Sequence, residues 1–452
     1  MIWMRIRVGL VILLGVLCAN ATDAMAANGQ LVKVVIVTRH GVRAPLTSPD
    51  ELDLWSAYSW PDLRRDWGVD HPGDLTPRGA ALVRLMGQYY RVLFLSDNLL
   101  PPLQQCPRPD DVYIRADVDA RTLDTGKALI DGLAPGCGIR VTSATTRFDP
   151  IFHPVKAGVC AFDRARTEAA ILGRIGGSFN ALQQADRAAL ATLQSILRCC
   201  KPRLCQRFVH KDTCALSDLG TKLGWRESKA GSAGGNPTVG LEGTLGLAST
   251  VAEILLLEYA NGFGESQWGF GRTTRDTMLD VGRLHTLDFE LMARTPYVAA
   301  RQGSELLRQV LGALLSAAAP ATHQGIAPSK AKIVLFVGHD TNIANLAALL
   351  DVSWQQCGYH MNETPPAGAL VFEVRRGRDN ELRIYASYLA QSPEQMAMQQ
   401  RLDLAHPPQR SALFVPACSS AQPGYPCALT RFYDALSARL DRECVLHPGE
   451  SN

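Results

Sequence analysis

Beyond its first thirty residues this 452-residue chain has no apolar run near the ~20 residues needed to cross a bilayer, which argues against a membrane-embedded body. It has no lysine- or arginine-rich run interleaved with aromatics, and its formal net charge is only +3. Nucleic acid is therefore not expected as a partner. No Cys-x2-Cys pair and no suitably spaced histidine pair offers a zinc site. The glycine-rich stretch 231–240 lacks the Gly-Lys-Ser/Thr ending of a phosphate-cradling loop and reads as a flexible connection. Internal repeats are also missing, which leaves no basis for a solenoid or a structural array.

What is present describes an exported globular protein. Apolar and charged residues make up 46% and 20% of the chain, as in soluble domains. Arg5 and Arg7 precede an apolar stretch over residues 8–17, and Ala24-Met25-Ala26 offers a small-residue cleavage site. Residues 1–26 are therefore expected to be a signal peptide, and the mature protein to be periplasmic or secreted. Leu17 stands before Cys18 where a lipid-attachment signal has a small residue, so lipidation is not expected. Removal of Cys18 leaves eleven of the twelve cysteines, a number that fits an oxidising compartment. Eleven is odd, so at least one thiol should be free or paired between chains.

Residues 31–37 (LVKVVIV) and 332–337 (KIVLFV) read as strands buried on both faces, and 111–116 (DVYIRA) as a third strand. Each is followed by a turn and a helical pattern. Thr76-Pro77 opens a helix to about residue 90, with threonine as N-cap and proline in the first turn, and residues 342–350 are helical by composition. This alternation predicts an α/β fold with a mostly parallel central sheet flanked by helices. Residues 167–197, 241–259 and 279–291 read as helices, with few strand candidates between about 154 and 286. The division expected is a signal at 1–26, an α/β core over 27–153 and 287–452, and a mainly helical insertion over 154–286.

The chemistry concentrates in Arg39-His40-Gly41-Val42-Arg43-Ala44-Pro45, at the end of the first buried strand. Forked guanidinium groups match phosphate oxygens, and an imidazole held among them can attack phosphorus. The heptad resembles that of the histidine acid phosphatases in the histidine phosphatase superfamily, above all their bacterial phytase and glucose-1-phosphatase members. Further likenesses lie in Val337-Gly338-His339-Asp340-Thr341-Asn342, in Asp117-Val118-Asp119-Ala120-Arg121-Thr122, in residues 75–79 and 364–368, and in Trp268-Gly269. The resemblance as a whole covers residues 31 to 444. The three main segments each follow a strand, so in one parallel sheet they would meet at its carboxyl edge, where open α/β folds bind ligands.

The resemblance implies roles. His40 would be the nucleophile and Asp340 the proton donor. Arg39, Arg43, Arg121 and His339 would hold the phosphate, while Thr47, Glu242 and Thr341 are further candidates for substrate contact. It also implies the disulfides Cys106–Cys137, Cys160–Cys444, Cys205–Cys214 and Cys418–Cys427, leaving Cys199, Cys200 and Cys357 over. The reaction expected is acid phosphomonoester hydrolysis through phosphohistidine, with phytate as the leading substrate and no cofactor. The clustered arginines would keep His40 unprotonated in acid, whereas Asp340 must carry a proton to act, so an acidic optimum follows.

Relatives acting on phytate commonly have Thr-Lys after the heptad, where this chain has Leu46-Thr47. A glucose-1-phosphatase or broad sugar phosphatase is therefore the alternative. Phosphoryl transfer to another hydroxyl is less compatible with export, and a non-catalytic phosphoester-binding protein would not need both His40 and Asp340. The partner expected is a small phosphorylated ester, for a chain that is monomeric and free of membrane once the signal is cleaved. Because arginines rather than a metal ion would neutralise the phosphate, phosphatase activity should survive dialysis against EDTA; loss restored by added divalent cation would contradict this.

Overall fold

The computed structural model describes residues 29–226, 236–319 and 325–446. The signal expected at 1–26 and residues 231–235 of the glycine-rich connection lie outside the described residues. Strands β1 (Gln30–Arg39), β2 (Val112–Ala116), β5 (Ile333–Gly338), β6 (Ala369–Arg376), β7 (Leu382–Ala390) and β8 (Gln409–Ala412) form one sheet in the order β2-β5-β1-β6-β7-β8, and the short β9 (Cys427–Ala428) pairs with β7. β3 (Thr221–Arg226) and β4 (Thr238–Gly243) make a separate two-stranded sheet.

The half of the main sheet built from the three strands read in the sequence is parallel: β1 pairs with β5, and β5 with β2. β6 then runs antiparallel to β1, and β7, β8 and β9 continue antiparallel. Strand alternation sends the side chains of β1 into two different apolar layers. Val34 and Ile36 pack with Ile333 and Leu335 beneath the helices Pro77–Ser96 and Ala120–Leu133. Val35 and Val37 pack with Val334 and Phe336 beneath Pro296–Leu315 and Asp340–Leu350. Helices on both faces explain why these strands are apolar throughout.

A third apolar cluster joins the helices Arg187–Leu197, Thr244–Ala260 and Arg275–Met292 to Leu52, Trp55 and Trp67, which follow the heptad in sequence. Two local differences from the sequence reading have physical causes. The stretch 167–197 is broken into three helices, with left-handed glycines at Gly176 and Gly177 making the first break. Leu241 and Glu242 belong to β4 rather than to a helix, because Gly243, at φ 77°, ends the strand and the helix starts at Thr244.

Disulfides join Cys106–Cys137, Cys160–Cys444, Cys205–Cys214 and Cys418–Cys427. Of the three cysteines left over by the resemblance, Cys199 and Cys200 are joined to each other and Cys357 is disulfide-bonded as well, so no free cysteine occurs among the described residues, while the count after loss of Cys18 stays odd.

Two buried carboxyls make stability depend on pH. Burial pushes Glu258 up to about 8, against a single hydrogen bond from the Gly269 N–H, and Glu363 up to about 7. Between the ordinary glutamate value of 4.5 and these raised values, the folded chain holds protons that the unfolded chain has released. Their stabilising effect is complete below about 4.5 and is lost as pH rises through 7 to 8. Glu258→Gln should remove a pH-dependent component on the order of 3 kcal/mol between pH 5 and 8, read as urea-unfolding free energies. Identical slopes for variant and parent would contradict this.

Candidate active site

The heptad's position is set by backbone pairing on every side. At the end of β1, Arg39 is in register with Gly338 of β5, and the His40 N–H donates to the Gly338 carbonyl at 2.9 Å. From the other flank the Arg39 N–H donates to the Gly368 carbonyl at 2.9 Å, and the Ala367 N–H to the His40 carbonyl at 3.0 Å. The segment 364–368, noted in the sequence only for its likeness to relatives, is thus the brace of His40. Beyond it, Thr76 donates its N–H to the Val42 carbonyl at 3.0 Å. A Cβ at Gly79 would stand 2.1 Å from that same carbonyl oxygen, so the following helix can approach the heptad only through glycine.

His40, His339 and Arg121 stand just beyond the ends of three adjacent parallel strands. The His40 and His339 rings lie 5.6 Å apart, at 70° to each other. His339 caps the Asp340–Leu350 helix, its N–H donating to Asn342 Oδ1 at 2.9 Å, which puts Asp340 in the first turn. Arg121 lies in the first turn of Ala120–Leu133, its guanidinium 3.3 Å from His339 Nδ1 and 2.6 Å from Asp119. The Arg39 guanidinium contacts Asp340 at 2.9 Å.

The tautomer of His40 follows from its one hydrogen bond. Nδ1–H donates to the Gly41 carbonyl at 2.9 Å, which leaves the lone pair on Nε2. The ring is 2% exposed, and its pKa lies well below the ordinary histidine value. Burial is the largest cause, followed by the charges of Arg39, Arg121 and Arg43 and by His339. The arginine effect expected from sequence is present but ranks behind desolvation. The result is a neutral imidazole with a free nitrogen in a cationic setting, which is what a nucleophile needs in acid.

Three residues at the site were not singled out as such in the sequence. Glu253, buried in the Thr244–Ala260 helix, accepts from Arg39 and, through both oxygens at 2.8–2.9 Å, from Arg43. Burial would raise its pKa, but the two guanidinium groups outweigh that and hold it well below the usual carboxylate range. A signal existed: Glu253 and Glu258 are acids in an otherwise apolar helix, where burial demands a partner. Asp117 and His153 are the other two. Asp117 Oδ2 accepts from His339 Nε2 at 2.7 Å and from His153 Nε2 at 2.9 Å. Nothing local in sequence marks His153.

The remaining candidates sit differently. Thr47 and Glu242 line a cleft of about 870 Å³ together with Trp55, Arg226 and Thr250. Thr250 stands one helical turn before Glu253, so the cleft opens along the helix that braces the arginines. Glu242 projects from β4, half-exposed, with Lys222 at 3.5 Å. The Thr341 N–H donates to Asp340 Oδ1 at 2.8 Å and so fixes that carboxyl. Two groups have metal-ligand spacing. Asp117, His153 and His339 are tied together through Asp117 Oδ2, while Cys200, Cys205 and Cys214 are taken up in disulfides.

A neutral imidazole ringed by guanidinium groups at the carboxyl edge of an α/β sheet, with a carboxyl one strand away, defines a histidine acid phosphatase. Residues 30–388 match the histidine phosphatase superfamily (branch 2), and the chain belongs to that family. It is 37% identical over 424 residues to phytase AppA of Escherichia coli (strain K12), covering 92% of this chain and 94% of that one. To the glucose-1-phosphatase of Salmonella typhimurium it is 27% identical over 438 residues, covering 93% and 96%. Among solved structures, the apo form of Hafnia alvei phytase matches with a TM-score of 0.82 at 36% identity, covering 93% of this chain and 99% of that one. The same phytase in complex with myo-inositol hexakis sulphate matches with a TM-score of 0.81 at 35% identity, covering 93% and 100%.

Glu253→Ala would leave Arg39 and Arg43 buried with no shared counter-ion. The variant should lose about 3–5 kcal/mol of stability, read from urea unfolding without substrate. A midpoint equal to that of the parent would show the pairing to be dispensable.

Proposed function

We propose that this phosphatase acts on phytate, with His40 as nucleophile and Asp340 as proton donor. The observation that carries the chemistry is the free Nε2 of His40 among three arginines. Each of these has a buried Nε–H without an acceptor among the described residues, and anionic oxygens are the natural partners for such groups. His40 Nε2 attacks phosphorus and forms the N–P bond as the P–O bond to the leaving group breaks. The Asp340 carboxyl gives its proton to the leaving oxygen. Water then attacks phosphorus, the N–P bond breaks with its electrons returning to His40, and the water proton goes to Asp340. Arg39, Arg43, Arg121 and His339 hold the non-bridging oxygens throughout.

Arg39 has a further part in the first step. It contacts Asp340 in the free site, and a phosphate taking over that guanidinium would leave the carboxyl beside a new anion.

Phytate leads among substrates for two reasons. The phytase relative shares more identity than the glucose-1-phosphatase, and the Hafnia alvei phytase binds an inositol hexakis sulphate on a fold matching this one. The cleft beside Thr47 is large and carries Arg207, Lys222 and Arg226, cations suited to a multiply phosphorylated ring, with His210 beside them. They stand in for the lysine missing after the heptad. In this reading the sheet core (27–153 and 287–452) carries the chemistry and the insertion (154–286) the substrate wall. The chain is exported after loss of residues 1–26 and works as a monomer.

Two measurements test this. The kcat/KM for phytate at acid pH should exceed that for glucose 1-phosphate; the reverse order would move the assignment to a sugar phosphatase. Asp340→Asn should slow release of alkyl alcohols by about 10²–10⁴-fold and of p-nitrophenolate far less. Equal losses on both would contradict the acid role.

A further inference from the structure

We propose that His153 is a positioning residue that, through Asp117, sets the protonation state in which His339 meets the phosphate; this rests on the phosphohistidine reading above. Asp117 is fully buried at the end of β2, and its Oδ2 takes Nε2–H bonds from both imidazoles while its buried Oδ1 has no partner among the described residues. The two rings lie 5.1 Å apart. The segment holding His153 is fixed to the His339 helix, since Asn342 Nδ2 donates to the Phe152 carbonyl at 2.8 Å. One carboxylate oxygen is thus shared by two imidazoles in a fixed geometry.

The sharing has a consequence for His339. With Nε2–H committed to Asp117, only Nδ1 faces the site, and there it accepts from the Arg121 guanidinium at 3.3 Å. A neutral His339 therefore has no hydrogen to offer a phosphate oxygen, while the imidazolium offers Nδ1–H. Other charges bear on this proton. From the β2 side these are Asp117, Asp119 (3.6 Å from His339 Nε2) and Arg121. Lys156 follows His153 within electrostatic reach of all three. His40 and Arg39 come from β1, and Asp340 is next in the chain. Burial lowers the proton affinity of His339 and the Asp117 bond raises it, while His153 and Arg121 lower it.

His153 thus competes with His339 for the Asp117 charge, and the two substitutions should have opposite signs. His153→Gln keeps a neutral donor to Asp117 but cannot become a cation. Its alkaline limb of kcat/KM should move to higher pH by about half a unit or more. Asp117→Asn keeps an acceptor but removes the anion, so its limb should move to lower pH by about one unit. The inhibition constant of inorganic phosphate, measured across the same pH range, should shift in the same directions.

A merely structural His153 would lower yield or kcat and leave both profiles in place, and that outcome, or shifts of one sign in both variants, overturns the proposal. If Asp117→Asn does not fold, the direction of the His153→Gln shift decides alone. A pre-steady-state burst of p-nitrophenolate from the parent checks the underlying reading separately. Its absence would count against the phosphohistidine intermediate, while the phosphate-binding profiles would still decide the role of His153.

Discussion

Positive charge held around a neutral ring is the constraint on which the rest of the molecule depends. Three guanidinium groups repel one another and resist burial, so the fold must supply anions that hold them without quenching the site. Glu253 does this from behind for Arg39 and Arg43, and Asp119 does it for Arg121. The same field, added to the burial of His40, keeps that imidazole unprotonated in acid. In the proposed mechanism a single arrangement therefore serves phosphate binding and nucleophile activation, and the anions beneath it are as necessary as the cations.

The sheet explains how such an arrangement can be built reproducibly. Parallel strands β1, β5 and β2 end side by side, and each delivers one chemical group at its exit: His40, His339 with Asp340, and Asp117 with Arg121. Two helix N-termini also open there, adding their partial positive charge. The helical cluster contributes Glu253 and one wall of the cleft; in the proposed reading, catalysis and substrate choice are then carried by different parts of one chain. Acid chemistry also matches the protein's own endurance, because Glu258 and Glu363 favour the folded state most strongly at low pH.

The sequence was legible wherever a residue pattern has one physical meaning. Unbroken β-branched runs must be buried on both faces, and an arginine–histidine–glycine–arginine turn after such a run has few other uses. The antiparallel strands β7 to β9 carry no motif at their ends, and the segment 364–368 before β6 does not by itself say which strand it pairs with, so nothing in the sequence placed them beside β1. The β3–β4 sheet was missed because its glycines suppress strand propensity. Glu253 and His153 act across 210 and 36 residues of sequence, on Arg43 and on Asp117. Such contacts exist only once the chain is folded. Cys199–Cys200 escaped for the opposite reason, being too close in sequence to be considered a pair.

The most direct test is chemical capture of the intermediate. The protein should be mixed with a 32P-labelled monoester at acid pH, quenched in alkali within milliseconds, and digested for peptide mapping. Alkali-stable label on the peptide containing His40 is the result this account predicts. Label on another residue, or none while product still forms, would contradict it.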